Sequence, residues 1–172
     1  MRYLFFTRPM LPFGPAAALP DRCTLEEWRP SLGRARPPDL PVVPFLVWGL
    51  FHFLGIFASG DYTLFLVRRD GVLVHRTCIF PRHYKFPFMA AGDLQAAAIW
   101  TAPELRGCGL GRTVLQEVLQ RLADPARTLW YLVRDDNHPS IRLAEKCGFR
   151  LLGQGGLRSR LGLHQLGIFR MD

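Results

Sequence analysis

Hydrophobic and polar positions repeat along this chain with two periods. Between Thr113 and Leu122 the apolar residues Val114, Leu115, Val118, Leu119 and Leu122 recur three and four apart, forming one face of an amphipathic helix. Asp124-Pro125 closes it. Upstream, residues 62–68 and 72–80 are rich in β-branched and aromatic side chains and flank Asp70-Gly71, which predicts a β-hairpin. Residues 94–101, with small alanines at their centre, predict a further strand, and residues 128–133 a short buried one. Residues 139–147 read as a helix stopped by Gly148. A first strand is expected at 3–7, and a closing antiparallel pair at 149–157 and 162–170.

Other stretches are less regular. Residues 9–20, rich in proline and alanine, read as a loop. Thr24 and Glu27 fit a capping box, which predicts a brief helix. Residues 30–41, with Pro37 and Pro38, form a connector. Residues 45–57 are apolar on nearly all sides, the pattern of a buried helix. Their aromatics, Phe45, Trp48, Phe51, Phe53 and Phe57, are alternatively suited to wall a substrate pocket or form a homodimer contact. This order of elements predicts a mixed α/β sheet flanked by helices.

Length and composition bound the rest. A chain of 172 residues, 49% of them hydrophobic, fits one compact domain with a sizeable core. The longest apolar stretch runs uninterrupted for about 14 residues, where a membrane span needs about 20. Cys23, Cys78, Cys108 and Cys147 lie far apart, with no C-x-x-C and no histidine at zinc-site spacing. That argues against a disulfide or metal framework and for a reducing compartment, read as cytoplasmic. The net charge is +8, carried almost wholly by arginine, since lysine occurs only at Lys85 and Lys146. Such a surface attracts anions without choosing among them. The arginines are scattered and no nucleic-acid recognition motif is present, so a nucleic-acid partner is not expected.

One stretch narrows the choice: T-A-P-E-L-R-G-C-G-L-G-R, residues 101–112, between a strand and the amphipathic helix. A helix N-terminus presents unpaired N–H groups and partial positive charge, and glycines let a phosphate approach closely. A pyrophosphate site is therefore sensible, with Arg106 and Arg112 as charge partners. No G-K-[ST] follows, so this is no Walker loop, and the glycine spacing does not fit G-x-G-x-x-G.

Arg106, Gly109 and Gly111 fill the pattern [RQ]-x-x-G-x-[GA], and Asn137, Ser140, Lys146, Gly148 and Phe149 fit N-x-x-[AS]-x-x-x-[Y]-x-K-x-G-F. On these two segments the chain resembles the GNAT superfamily of N-acetyltransferases from about Tyr62 to its end. The resemblance implies a single GNAT-like acetyltransferase domain over residues 1–172. It implies an α/β (α+β) fold whose central mixed, mostly antiparallel sheet is splayed at the acyl-CoA site. Acetyl-CoA would enter the gap between strands 94–101 and 128–133. Backbone groups of Ile99, Trp100 and Thr101 would pair with pantetheine. The loop from Leu105 through Arg106, Gly107, Cys108, Gly109, Leu110 and Gly111 to Arg112 would hold the pyrophosphate. Asn137 and Ser140 would lie beside the cofactor. No metal is implied.

The implied reaction is attack of a neutral amine on the thioester, which needs a route for the amine proton and a proton or N–H for the leaving thiolate. The family's tyrosine acid corresponds to Ala144, and residues 94–100 carry no acidic base. Candidates in their place are His75, Tyr131, Asn137, Asp93, His83, Tyr84 and His138; each also has an ordinary structural reading. Cys108 and Cys147 read as inert. The acceptor would meet residues 45–57 and the loop at 81–92, where Arg82, His83, Tyr84 and Lys85 combine rings with cations. That suits a small-molecule amine such as a nucleotide-linked amino sugar. A longer acyl chain, a protein or peptide N-terminus as acceptor, and a non-catalytic CoA-binding module remain alternatives.

Overall fold

The computed structural model describes residues 1–15, 17–34, 36–37, 39–160 and 163–172, with the backbone alone for residues 159, 160 and 163–166. Eight strands form one sheet: β1 (Tyr3–Met10), β2 (Cys23–Trp28), β3 (Thr63–Arg69), β4 (Val72–Pro81), β5 (Leu94–Thr101), β6 (Asp124–Arg134), β7 (Arg150–Arg160) and β8 (Leu163–Met171). Among the described residues there are three α-helices, α1 (Val42–Phe53), α2 (Leu110–Arg121) and α3 (His138–Lys146). The strand order is β2-β3-β4-β5-β6-β1-β7-β8. Every neighbouring pair is antiparallel except β5 and β6.

The two-residue alternation of the strands sorts the core into two faces. Phe65, Val67, Ile79, Leu94, Leu129 and Tyr131 pack against Val114, Leu115, Val118 and Leu119 of α2 and Ala144 of α3. On the opposite face Leu64, Leu66, Cys78 and Phe80 meet Phe45 of α1 together with Trp28 and Phe57. The hairpin turns at Asp70 and Gly71, both with positive φ, and Gly148 (φ +75°) stops α3 as a left-handed C-terminal residue. The last strand begins, as described, at Leu163; Gly162, where the sequence pattern starts it, lies outside the described residues, as does Pro38 of the connector.

Three expectations change. Thr24 caps no helix: residues 23–28 form β2, in register with β3 over six positions. So short a segment gains little from a helical turn, whose nucleation is costly, and much more from a full edge pairing. The apolar helix is not enclosed. α1 buries Phe45 and Gly49 but leaves Val43, Leu46, Val47, Leu50 and Phe53 exposed, because it lies alone on its face of the sheet. Finally, β6 starts at Asp124 rather than Thr128. A register shift between Pro9 and Met10 of β1 accommodates the extra residues.

The N-terminal strand is placed centrally. β1 lies between β6 and β7, its Tyr3 opposite Arg134 on one side and Gly155 on the other. Arg8 leaves this strand to donate to the Cys147 carbonyl and, at 3.0 Å, to that of Leu11. It thereby satisfies the C-terminal end of α3, where a cation is favourable.

Candidate functional site

The sheet opens at one joint. β5 and β6 pair over three positions only, Leu94 with Leu129, Gln95 with Trp130 and Ala96 with Tyr131. Beyond Ala96 the strands diverge, although β5 stays bonded to β4 as far as Thr101. The register of β4 on β5 shifts between Arg76 and Cys78, and at that bulge Ala98 takes φ +50°. A residue with a Cβ in the left-handed region costs about 1–2 kcal/mol, and the Arg76 Nε donates to the Ala98 carbonyl there at 3.3 Å. The bulge bends β5 away from β6 and leaves its cleft-side backbone groups without a strand partner.

Asp93 fastens the closed end of the joint. Its carboxylate accepts from the backbone N–H of Ala90 (2.9 Å) and of Thr128 (3.0 Å) and from the Trp130 indole (2.8 Å). Arg127 holds the same corner, donating to the Gly92 carbonyl and to Asp61 at 2.7 Å. Burial would raise the Asp61 carboxyl, but hydrogen bonds from Arg127 and Ser59 hold it below its ordinary value. Asp93, a candidate base by sequence, is thus a buried structural clamp with its acceptors in use.

The open end is a cleft of about 230 Å³, lined by Ala96, Ala97, Ala98 and Ile99 on β5 and by Tyr131, Leu132, Val133 and Arg134 on β6. Asn137 and Ser140 of α3 and Tyr3 of β1 complete it. Small alanines leave a slot wide enough for an extended chain. Asn137 caps α3, its Oδ1 accepting from the Ser140 N–H at 3.4 Å. Trp100 and Thr101 lie just beyond. Arg76 stands over the Trp100 ring, and the Thr101 hydroxyl is engaged by His75 at 2.8 Å.

Next to the cleft, residues 106–109 lead into α2. Gly107 and Gly109 take φ of +82° and +81°, and a Cβ at either would meet nothing within 4 Å, so the backbone there faces open space. Gly109 caps α2 without a side-chain hydrogen bond, and the first turn holds no acidic residue. The leading N–H groups of such a helix have no intrahelical partner and favour an anion. This arrangement suits an anionic group beside the slot. Arg112 is exposed beside the turn, and Arg106 donates to the Thr101 carbonyl at 3.0 Å, tying the loop to β5. Cys108 and Leu110 line a second hollow of about 460 Å³ under the 15–20 loop. Gly111 has a different role: its α-carbon packs on α3, and a Cβ there would lie 3.2 Å from Leu143.

The structure separates the polar candidates. His75 is fully buried under α2, its Nδ1 at 2.8 Å from the Thr101 hydroxyl and its Nε2 at 2.9 Å from that of Thr77. Burial and then Arg76 push it down to about 4, so it stays neutral with both nitrogens used and does not face the cleft. It is a core histidine rather than a base. Tyr131 lines the cleft from the α3 side; burial pushes it up to about 12, and Ser140 hydrogen-bonds its phenol. Ala144 is buried and brings no hydroxyl. Cys147 is buried and its thiol is pushed up to about 11, in keeping with packing.

The four proposed acceptor contacts do not act as one group. His83 is buried among Trp48, Phe51, Phe57, Tyr84 and Phe86, with ring centroids 4.8 to 6.0 Å away. Burial pushes it down to about 4, and neither nitrogen makes a regular hydrogen bond. Tyr84 is exposed with Lys85 5.9 Å over its ring, and Arg82 is partly exposed. None of the four lines the cleft. Tyr3 and Arg134 carry no local sequence signal for a place at the site; they reach it through strand pairing.

No helix among the described residues is long and apolar enough to cross a membrane. The acetyltransferase (GNAT) family matches residues 24–149 of the chain. No curated protein matches it by sequence at a significant level. Among solved structures, a GCN5-related N-acetyltransferase from Sphaerobacter thermophilus is similar at 18% identity and a TM-score of 0.57, over 89% of this chain and 49% of that one. A tandem GNAT protein from the clavulanic acid biosynthesis pathway is similar at 17% identity and 0.58, over 87% and 50%. AAC(6')-Iy, solved with the bisubstrate analogue CoA-S-monomethyl-acetylneamine, is similar at 16% identity and 0.53, over 80% and 98%. These likenesses are ones of fold. The chain spans 48% to 60% of the length of five of the structures it matches.

Proposed function

Because the chain belongs to the acetyltransferase (GNAT) family, we propose that it moves an acetyl group from acetyl-CoA to a primary amine of a small molecule. The observation that carries this reading is the joint between β5 and β6. A three-pair parallel contact opens into an alanine-walled slot, beside a helix N-terminus that glycine leaves bare. Pantetheine would lie along β5, meeting the backbone of Ala97 to Ile99, and the pyrophosphate would sit on the turn at Gly107 to Arg112. The +8 charge of the chain favours such a polyanion.

Among the described residues no carboxylate or free histidine lines the slot, so the amine proton would leave through water. The acceptor is read as a small polar amine. One fold neighbour binds a ligand that joins CoA to an acetylated amine. A nucleotide-linked amino sugar is the first acceptor to try, with exposed Tyr84, Lys85 and Arg82 as its contacts. The buried His83 is not among them.

Calorimetric titration with acetyl-CoA, CoA and octanoyl-CoA tests the cofactor. Acetyl-CoA and CoA are expected to bind, and Gly109→Asp, which sets a carboxylate where the pyrophosphate would lie and a Cβ at φ +81° at a cost of about 1–2 kcal/mol, is expected to abolish binding while the fold survives. Gly111→Asp is a poorer test, since it would also strike Leu143. Unchanged affinity of the Gly109 variant would refute the placement. An amine panel read by thiol release then identifies the acceptor.

A further inference from the structure

Acetyl transfer to an amine releases a thiolate, and the slot holds few groups able to protonate it. Its polar side chains are Tyr3, Tyr131, Arg134, Asn137 and Ser140. Tyr131 meets the slot from the α3 side, packed against Phe149 and with Ser140 on its phenol. Burial makes it a weak acid, pushed up to about 12. The Asn137 amide and the Ser140 hydroxyl are weaker acids still, and Arg134 is ion-paired with Asp136. At position 144 the side chain is a methyl group.

Tyr3 differs from all of these. The odd positions of β1 turn away from α2 and α3. Phe5 packs on Phe88 and Phe169, and the Tyr3 ring stands edge-on to Phe169 at 5.1 Å. The strand is bonded on both sides, to Arg134 of β6 and Gly155 of β7, which fixes the backbone from which the ring projects. Its phenol donates to the Met1 Sδ at 3.2 Å, and a thioether is a weak acceptor. That contact is readily exchanged for a better acceptor, and it lies at the mouth of the slot, on the face opposite Tyr131.

We propose that Tyr3 is the acid that protonates the departing thiolate, supplied by a strand outside the family-matched residues 24–149. This rests on the acetyl-CoA reading above. The neutral amine nitrogen attacks the thioester carbonyl carbon and the C–N bond forms. The C–S bond breaks, its electron pair going to sulfur, and the Tyr3 phenol passes its proton to that sulfur. The proton that the amine nitrogen loses returns to the phenolate through water, so the protons balance.

The test reads the thiol of bound CoA, which needs no acceptor. A phenol that donates to the thiolate lowers the bound thiol below its value in free CoA. CoA and desulfo-CoA are titrated by calorimetry from pH 7 to 9.5 against the wild-type chain, Tyr3→Phe and Tyr131→Phe. A drop of one unit makes wild-type CoA gain on desulfo-CoA by roughly threefold or more across that range. Tyr3→Phe should lose the gain and keep its acetyl-CoA affinity, because the ring still packs on Phe169; Tyr131→Phe should keep the gain. The charged groups around this end of the sheet are Arg134, Asp135 and Asp136 at and after the end of β6, His138 at the start of α3, Arg2 and the N-terminal ammonium ahead of β1, and Arg170 and Asp172 at the end of β8; Ala96 to Ile99 of β5 carry none. All are common to the three proteins, so the difference isolates each phenol. A gain that persists in Tyr3→Phe, or a wild type without one, overturns the assignment while the cofactor reading stands. Absence of CoA binding to the wild type overturns the cofactor reading and this assignment with it.

Discussion

Removing the Asp93 carboxylate should unfasten the cleft from its closed end. In Asp93→Ala three donors lose their acceptor at once: the N–H groups of Ala90 and Thr128 and the Trp130 indole. Trp130 is buried, so its N–H gains no water in exchange. Hydrogen bonds to a charged acceptor contribute about 1.5–3 kcal/mol each, and three that share one side chain do not add fully. The expected loss is about 4 kcal/mol, which in a chain of this size lowers the melting temperature by roughly 10 °C. Asp93→Asn keeps one oxygen and should lose about half as much. Urea unfolding at pH 7 measures both, and calorimetry with CoA measures the second consequence. With the anchor between β5 and β6 weakened, affinity should fall even though Asp93 lies outside the slot. A loss under about 1 kcal/mol in Asp93→Ala would refute the clamp.

Two further predictions concern the core. His75 and His83 are both held near 4 while the unfolded chain titrates near 6.5; between those values the unfolded chain binds protons that the fold does not, so stability is full above pH 6.5 and falls with pH by about 2 kcal/mol per ring at pH 5. Urea midpoints at pH 7.5 and 5 should show this, and His83→Phe, which keeps the ring among its aromatic neighbours, should flatten the slope; an unaltered slope would return His83 to an exposed state. Gly155→Ala would set a Cβ 1.9 Å from the Arg170 carbonyl, prising β7 from β8 at a cost of about 2–3 kcal/mol, whereas Gly153→Ala meets nothing and should leave the urea midpoint nearly unmoved.

What could be read from the sequence was what is encoded locally. The Asp70-Gly71 hairpin, the limits of β5, the apolar face of α2 and the stop at Gly148 depend on neighbours within a few residues, and each stands where its pattern puts it. The glycine turn ahead of α2 is legible for the same reason. Thr24 and Glu27 misled because a capping pattern says nothing of an available sheet edge, and β3 offers one. His75 showed itself as a polar residue in an apolar strand; one partner, Thr77, was two residues away, but Thr101 comes from the next strand. Tyr3 was beyond reach and Asp93 read as a candidate base rather than a clamp, since Asp93 joins Trp130 and Tyr3 joins Arg134 only through pairing across the sheet. The outer side of α1 was misjudged because periodicity reports that a helix is apolar, not how many layers cover it.

The central position of β1 also sets a timetable for biosynthesis. β1 leaves the ribosome well before its partners, residues 124–134 and 150–155. At about 5–20 residues per second, some 7–30 seconds pass before both exist. During that interval Phe5 and Phe6 ride on an unpaired strand with two bare edges, the kind of segment that associates with other chains. Contacts so distant in sequence also close slowly once they can form. The strand that completes the sheet is thus the one that waits longest for it, and the yield of folded protein depends on how well that strand is shielded meanwhile.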